Sequence, residues 1–245
     1  RSLDEADFRA LWEHGGFPEP FLKRDSRFTR RWAVTRRQQL LREDIRDLTN
    51  IHELGQIESM VTILVERSCD QLIYSNLAGE VSVSVDTARR WIDTLCRFHV
   101  GFLVRPWFKN VSRSLRKEPK WILRDWSRIA DEGKRAETFI GCHLLKAVEG
   151  WTDLGLGEFA LHYLRDRDKR EVDFLIVRDR KPWLLVEVKK SDDRISPSLA
   201  IFQNMTEAPH ALQVVLDADY IDADCFSRPG RPVVVPARTF LSQLL

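Results

Sequence analysis

Residues 171–189 read Glu171-Val-Asp173-Phe-Leu-Ile-Val177, then Arg-Asp-Arg-Lys-Pro, then Trp183-Leu-Leu-Val-Glu187-Val-Lys189. Two apolar runs of strand length flank a short polar break. That pattern predicts a β-hairpin turning through Arg178–Pro182. Symmetric pairing about residue 180 sets Val177 opposite Trp183, Leu175 opposite Leu185, and Asp173 opposite Glu187. Two carboxylates facing each other across a hairpin repel. A local violation of this kind marks a functional site, and a hard divalent cation relieves it through carboxylate oxygens. Lys189 falls on the same face as Glu187, two residues on. Trp183 and Leu185 share that face and read as packing residues. Two other readings stay open: a cross-strand salt bridge from Lys189 to Glu171, and a one-residue register shift that separates the acids. Glu-x-Lys by itself carries little, because Glu118-Pro-Lys120 and Glu132-Gly-Lys134 repeat it. Neither of those ends an apolar strand.

The hairpin sits in a larger pattern. Ala136–Val148 is predicted as an amphipathic helix and Glu158–Leu164 as a strand. After the hairpin come a helix over Pro197–Met205, a strand over Ala211–Leu216 and a last strand over Val233–Val235. This order is an α/β core. The upstream half is helical: a short helix near Asp4–Glu13, helical patterning over Ser26–Asn50, and a helix over His52–Arg67. A short helix ending near Gly79 follows. Ser84 or Asp86 then caps a helix over Thr87–Phe98, with Ala88, Trp91, Ile92 and Leu95 on its buried face. Val100–Val104 and Trp121–Leu123 read as paired strands around a basic loop, Lys109–Lys120. Together these make a winged helix-turn-helix with Thr87–Phe98 as recognition helix. A packing or protein-contact role fits the same elements. The fold class is α/β (α+β overall), divided as 1–50, a helical segment; 51–128, the winged helix; and 129–245, the core with the acid pair.

Charge follows this division. The 245 residues carry a net +2. Residues 1–130 hold 23 basic and 18 acidic residues, against 16 and 19 in the remainder. Lys23–Arg46 and Arg105–Arg128 are strongly basic and contain Phe28, Trp32, Trp107, Phe108, Trp121 and Trp126. Basic stretches with aromatics suit nucleic acid, and a solvated arginine-rich face fits them too. The DNA-contact candidates are Arg89, Arg90, Arg113, Arg116 and Lys117. The cysteines Cys69, Cys96, Cys142 and Cys225 form no C-x-x-C pair, and the six histidines are scattered. Reduced thiols and a cytoplasmic location are expected, with no transition-metal constellation. No apolar run reaches membrane-spanning length, and the first residues form no secretory signal, so no membrane partner is expected.

Asp173 and the Glu187-Val-Lys189 element resemble the core of the PD-(D/E)XK nuclease superfamily. That resemblance implies a restriction-endonuclease-like αβββαβ core. It also implies that Glu137 on the first helix joins the metal shell and that Gln203 matches a recurrent later glutamine. A second resemblance covers nearly the whole chain. His14-Gly15-Gly16-Phe17-Pro18-Glu19-Pro20, Arg42-Glu-Asp44-Ile45, Pro119-Lys120-Trp-Ile-Leu-Arg-Asp125 and Glu171-Val-Asp173-Phe look like the C-terminal half of a family of prokaryotic AAA+ ATPases. In that family a P-loop domain precedes a winged helix and a nuclease-like domain. No G-x-x-x-x-G-K-[S/T] run is present, so no ATP site is assigned to these residues. The resemblance implies a Mg2+ or Mn2+ site on Asp173, Glu187 and the Val188 carbonyl. Lys189 would orient or deprotonate water, or stabilise charge on the phosphate. Arg165 is a further residue that could approach the phosphate. The implied partners are DNA and an AAA+ domain in the full-length protein or in trans, and a homo-oligomer is compatible. The function expected is a metal-dependent DNA nuclease, with a non-catalytic DNA- or protein-binding regulator of the ATPase as the alternative.

Overall fold

The computed structural model of the chain describes residues 4–45, 53–108 and 118–244. It is a mixed α/β protein whose contacts divide it into two units. One comprises Ala6–Leu103 and Glu118–Asp131; the other comprises residues 4–5, 104–108 and 132–244. Arg113, Arg116 and Lys117 lie outside the described residues.

The N-terminal unit opens with α1 (Glu5–His14), α2 (Pro18–Lys23) and α3 (Ser26–Gln39). Pro18 starts α2 at the position where its missing N–H costs nothing. Asp25 caps α3 by accepting the Phe28 N–H. The chain continues as a π-helix over Leu40–Ile45. The His14-Gly15-Gly16-Phe17 motif is a packing joint. Buried His14 meets the Thr29 hydroxyl at 3.0 Å. A Cβ on Gly16 would lie 2.7 Å from the Trp126 ring, so only glycine lets that ring approach. Trp126 donates its indole N–H to the Leu11 carbonyl.

Helices α4 (Leu54–Glu66), α5 (Tyr74–Glu80) and α6 (Val85–Arg97) follow. Ser84 caps α6, accepting from the Thr87 N–H. Its buried residues are Ala88, Trp91, Ile92 and Leu95, the face that periodicity predicts. Strand β1 (Gly101–Pro106) lies beside β2 (Lys120–Leu123). A Cβ at Gly101 would meet the Trp121 ring at 2.4 Å and the Ile122 carbonyl oxygen at 2.5 Å. Three helices followed by two neighbouring strands are thus the element order of this part of the unit. The structure corrects one part of the basic-aromatic reading. Trp121, Trp126 and Lys120 are buried, so they pack instead of facing a partner.

In the C-terminal unit, α7 (Glu132–Asp153) precedes β3 (Phe159–Arg165), β4 (Glu171–Arg178) and β5 (Lys181–Lys189). Then come α8 (Pro197–Thr206), β6 (His210–Val215), β7 (Pro232–Pro236) and α9 (Ala237–Leu241). The strands run β3-β4-β5-β6-β7 across the sheet, with the end of β1 parallel to β3. The β3-β4-β5 meander is antiparallel, whereas β5, β6 and β7 are parallel. Helix α8 makes the crossover from β5 to β6 that parallel neighbours require. Leu175, Leu185 and Ala211 form an apolar cluster with Leu199 and Phe202 of α8. Glu187 and Lys189 continue the Leu185 alternation to the C-terminal end of β5, beyond that cluster.

Candidate active site on the central hairpin

The hairpin closes through Asp179 and Arg180, both at positive φ, as a two-residue turn of this twist demands. Leu175 pairs with Leu185, as symmetry about residue 180 predicts. The ends differ. Near the turn, Val177 faces Pro182 rather than Trp183, and the next pair is Ile176 with Leu184. Trp183 is therefore an extra residue in β5. The bulge sends its ring against Trp151 of α7, Phe159 and Phe226, away from the cluster that holds Leu185.

A second irregularity shapes the site. His162 pairs with Leu175, but Leu164 pairs with Val172, so β4 has one more residue than β3 over this span. Asp173 lies in that bulge. The regular β4–β5 ladder closes at Phe174 with Val186. Past it, the Asp173 carboxylate takes the place of a backbone acceptor: its Oδ2 accepts the Val188 N–H at 2.8 Å. The bulge thus aims Asp173 along the hairpin toward β5, a common use of bulges beside functional sites.

Asp173 and Glu187 are 9% and 6% exposed. Glu187 Oε1 accepts from Lys189 Nζ at 2.8 Å. Glu187 Oε2 is buried and has no hydrogen-bond partner among the described residues. Burial, then the charge of Asp173, push the Glu187 carboxyl up to about 7, against the pull of Lys189. For Lys189, burial favours the neutral amine. The hydrogen bond to Glu187 and the charges of Glu187, Asp173 and Glu137 outweigh it and raise its pKa. Lys189 is therefore a fixed cation, better suited to steadying negative charge than to removing a proton from water.

Other residues singled out from the sequence fall as follows. Glu137 is half-buried on α7, close enough for its charge to act on Lys189. Val188 contributes its amide to Asp173. Glu171 pairs with Arg165 at 2.8 Å, so the alternative bridge from Lys189 to Glu171 is replaced by this one. Gln203 is buried on α8 and donates to the Ala208 carbonyl, holding the end of its own helix. In the N-terminal unit, Arg89 and Arg90 are exposed on α6. Arg89 lies over the Tyr74 ring and Arg90 reaches Thr87.

Gln213 was not among the residues singled out. It pairs with Glu187 across β5 and β6 and is fully buried. Its Oε1 accepts the Ser196 N–H, and its Nε2 donates to the Asp192 and Arg194 carbonyls. One side chain thus folds the segment after Lys189 back onto the sheet. The visible signal was a lone amide inside the apolar strand Ala211–Leu216.

As a metal site the arrangement fits in part. Two buried carboxylates, one with an unpartnered oxygen, are the donors a hard cation takes. Among the described residues, no group of three or more histidines, cysteines or acids is placed to hold a metal ion. Among the described residues, no cysteine forms a disulfide. No helix of the described residues is long and apolar enough to cross a membrane.

The family model for a domain of unknown function, DUF8612, matches residues 5–130. That for a second domain of unknown function, DUF4143, matches residues 132–234. The chain is 24% identical, over 95% of its length, to the uncharacterized proteins Mb2031c of Mycobacterium bovis and Rv2008c of Mycobacterium tuberculosis. It spans about half the length of these curated relatives, 53% of each. No solved structure matches. Two domains of unknown function thus account for nearly all of the chain, and with the first covering half of it, the protein belongs to the DUF8612 family.

Proposed function

We propose that the C-terminal unit is a metal-dependent DNA nuclease module of the PD-(D/E)XK kind, hydrolysing phosphodiester bonds with Mg2+ or Mn2+. The observation that supports this reading is the buried Asp173–Glu187 pair, with Glu187 Oε2 unpartnered and Lys189 beside it. Asp173 and Glu187 would hold the ion, joined by the Val188 carbonyl, with Glu137 in reach of the same charges. A bound divalent ion supplies a water of lowered pKa and neutralises phosphate charge. The chain's own part is positional. The bulge orients Asp173, Gln213 holds the segment beyond the site, and Lys189 stabilises charge developing on the phosphate. Arg89, Arg90 and the basic loop would grip the DNA backbone, which positions a duplex without reading its sequence. A cytoplasmic location and an AAA+ ATPase domain, in the full-length protein or in trans, belong to the same reading.

A specific observation favours a second reading. Glu187 already bonds Lys189, and Asp173 already bonds Val188, so each acid has a partner within the hairpin. A non-catalytic DNA- or protein-binding regulator of the ATPase would look like this. Thermal unfolding with Mg2+ and Mn2+, on the wild type and Glu187→Ala, separates the two. Selective binding to the native state raises stability by about 2.7 kcal/mol at a hundred times Kd. The nuclease reading expects the wild type to respond and the variant not to. Equal melting in both, with salt-dependent DNA binding and no cleavage, selects the regulator.

A further inference from the structure

The N-terminal unit holds a small cavity of about 50 Å³ whose lining brings together Arg36, Arg37, Arg124 and Arg128 with one acid, Asp125. These come from α3 and from the segment after β2. We infer that this cavity is a binding site for a phosphoryl group, held by the Arg36, Arg37 and Arg128 guanidiniums. The inference rests on this unit alone and is independent of the nuclease reading.

Charge balance is the first argument. Four guanidiniums surround the space, and the Asp125 carboxylate is engaged by the Ser127 hydroxyl at 2.6 Å. Among the described residues, no group accepts a hydrogen bond from the guanidinium of Arg37 or Arg128, and the Arg36 guanidinium lies over the rings of Phe17 and Trp32. Arg128 is the costly one. Burial lowers its pKa, Asp125 acts the other way, and the neighbouring Arg37 lowers it again. Guanidinium hydrogen bonds are planar forks that match oxyanions, so an absent acceptor of that geometry is the natural complement.

Size and surroundings are the second. Leu41, Val61 and Leu123 line the same space. An apolar lining lowers the local dielectric and strengthens attraction for an anion. At about 12 Å³ of such space per water, the cavity takes about four water-sized groups. That suits one tetrahedral oxyanion and excludes a whole nucleotide, whose remaining atoms would lie outside. The phosphate could belong to a free nucleotide or to a nucleic-acid end.

The test is thermal unfolding of the chain in inorganic phosphate against chloride at matched ionic strength, for wild type, Arg128→Met and Arg37→Gln. A saturable rise of about 5 °C is expected for wild type at a hundred times Kd, and its loss in both variants. Arg128→Met should also melt at or above the wild type when phosphate is absent, because it removes a charge without an acceptor. Arg37→Gln, at a half-exposed position, keeps the test valid if Arg128→Met does not fold. AMP and a 5′-phosphorylated oligonucleotide then identify the source by which gives the larger shift. A phosphate response equal to that of chloride, an unchanged response in Arg37→Gln, or a folded Arg128→Met that melts below wild type with and without phosphate would each overturn the inference.

Discussion

The two units distribute charge in opposite ways. In the C-terminal unit, acids gather around a lysine, and hydrogen bonds inside the hairpin hold them: Asp173 to Val188, Glu187 to Lys189. One carboxylate oxygen is left over. In the N-terminal unit, four guanidiniums and one acid, Asp125, gather around a cavity that also has an apolar lining. The first arrangement is nearly complete within the protein and lacks at most a cation. The second is incomplete in the protein and lacks an anion. Sites that tolerate unmatched charge cost stability, so each should become more stable when its missing partner is supplied or its surplus charge removed.

The largest effect expected is on catalysis. Glu187→Gln keeps the shape and removes the charge. Cleavage of DNA in Mg2+ or Mn2+ should fall by about a hundredfold or more, while the folded state survives. Asp173→Asn should fall as far, since in the nuclease reading both acids would hold one ion. Far-ultraviolet circular dichroism beside the cleavage assay checks this. Unfolding of Asp173→Asn would make Asp173 a structural bulge acid, and the contrast between the two units would then be one of packing.

Gln213→Leu comes next. It removes three hydrogen bonds that fix residues 192–196 and leaves their backbone groups to water. The cost expected in urea unfolding is about 2 kcal/mol. If the segment positions the site, cleavage should fall in the same variant while metal-induced stabilisation persists, because neither acid has changed. Loss of both responses would place Gln213 within the metal site.

What the sequence made legible follows from physics local to a strand or helix. The middle of the hairpin register was readable because Leu175 and Leu185 must both be buried. The capped α6 was readable because Ser84 precedes an amphipathic run. Both ends of the hairpin escaped that reasoning. At the turn, the two-residue Asp179–Arg180 loop brings Val177 to Pro182 and expels Trp183. At the site, the extra residue near Asp173 ends the ladder one pair early. Alternation cannot reveal either, because a bulge preserves the composition of a strand while changing its pairing. The arginine cavity escaped for another reason: Arg36 and Arg128 are 92 positions apart, and only the folded unit joins them.

The smallest effect is also the most diagnostic of the C-terminal site. The Glu187 carboxyl is raised from 4.5 to about 7 in the folded chain. Between those values the folded state binds more protons than the unfolded one. The stabilisation from this group is therefore full below pH 4.5 and is lost as pH rises through about 7. Lys189, whose pKa is raised, works the same way only near its own higher range and does not enter this window. The difference in stability between wild type and Glu187→Gln isolates the acid from every other titrating group. Above pH 7 the variant should be the more stable. Below pH 4.5 the two should converge. Mg2+ or Mn2+ competes with the proton for Glu187, so metal should stabilise the wild type more at pH 8 than at pH 6. A difference curve flat from pH 4 to 8 would mean that Glu187 is fully compensated by Lys189. The C-terminal unit would then have no unmatched charge, and the N-terminal cavity alone would be short of a partner.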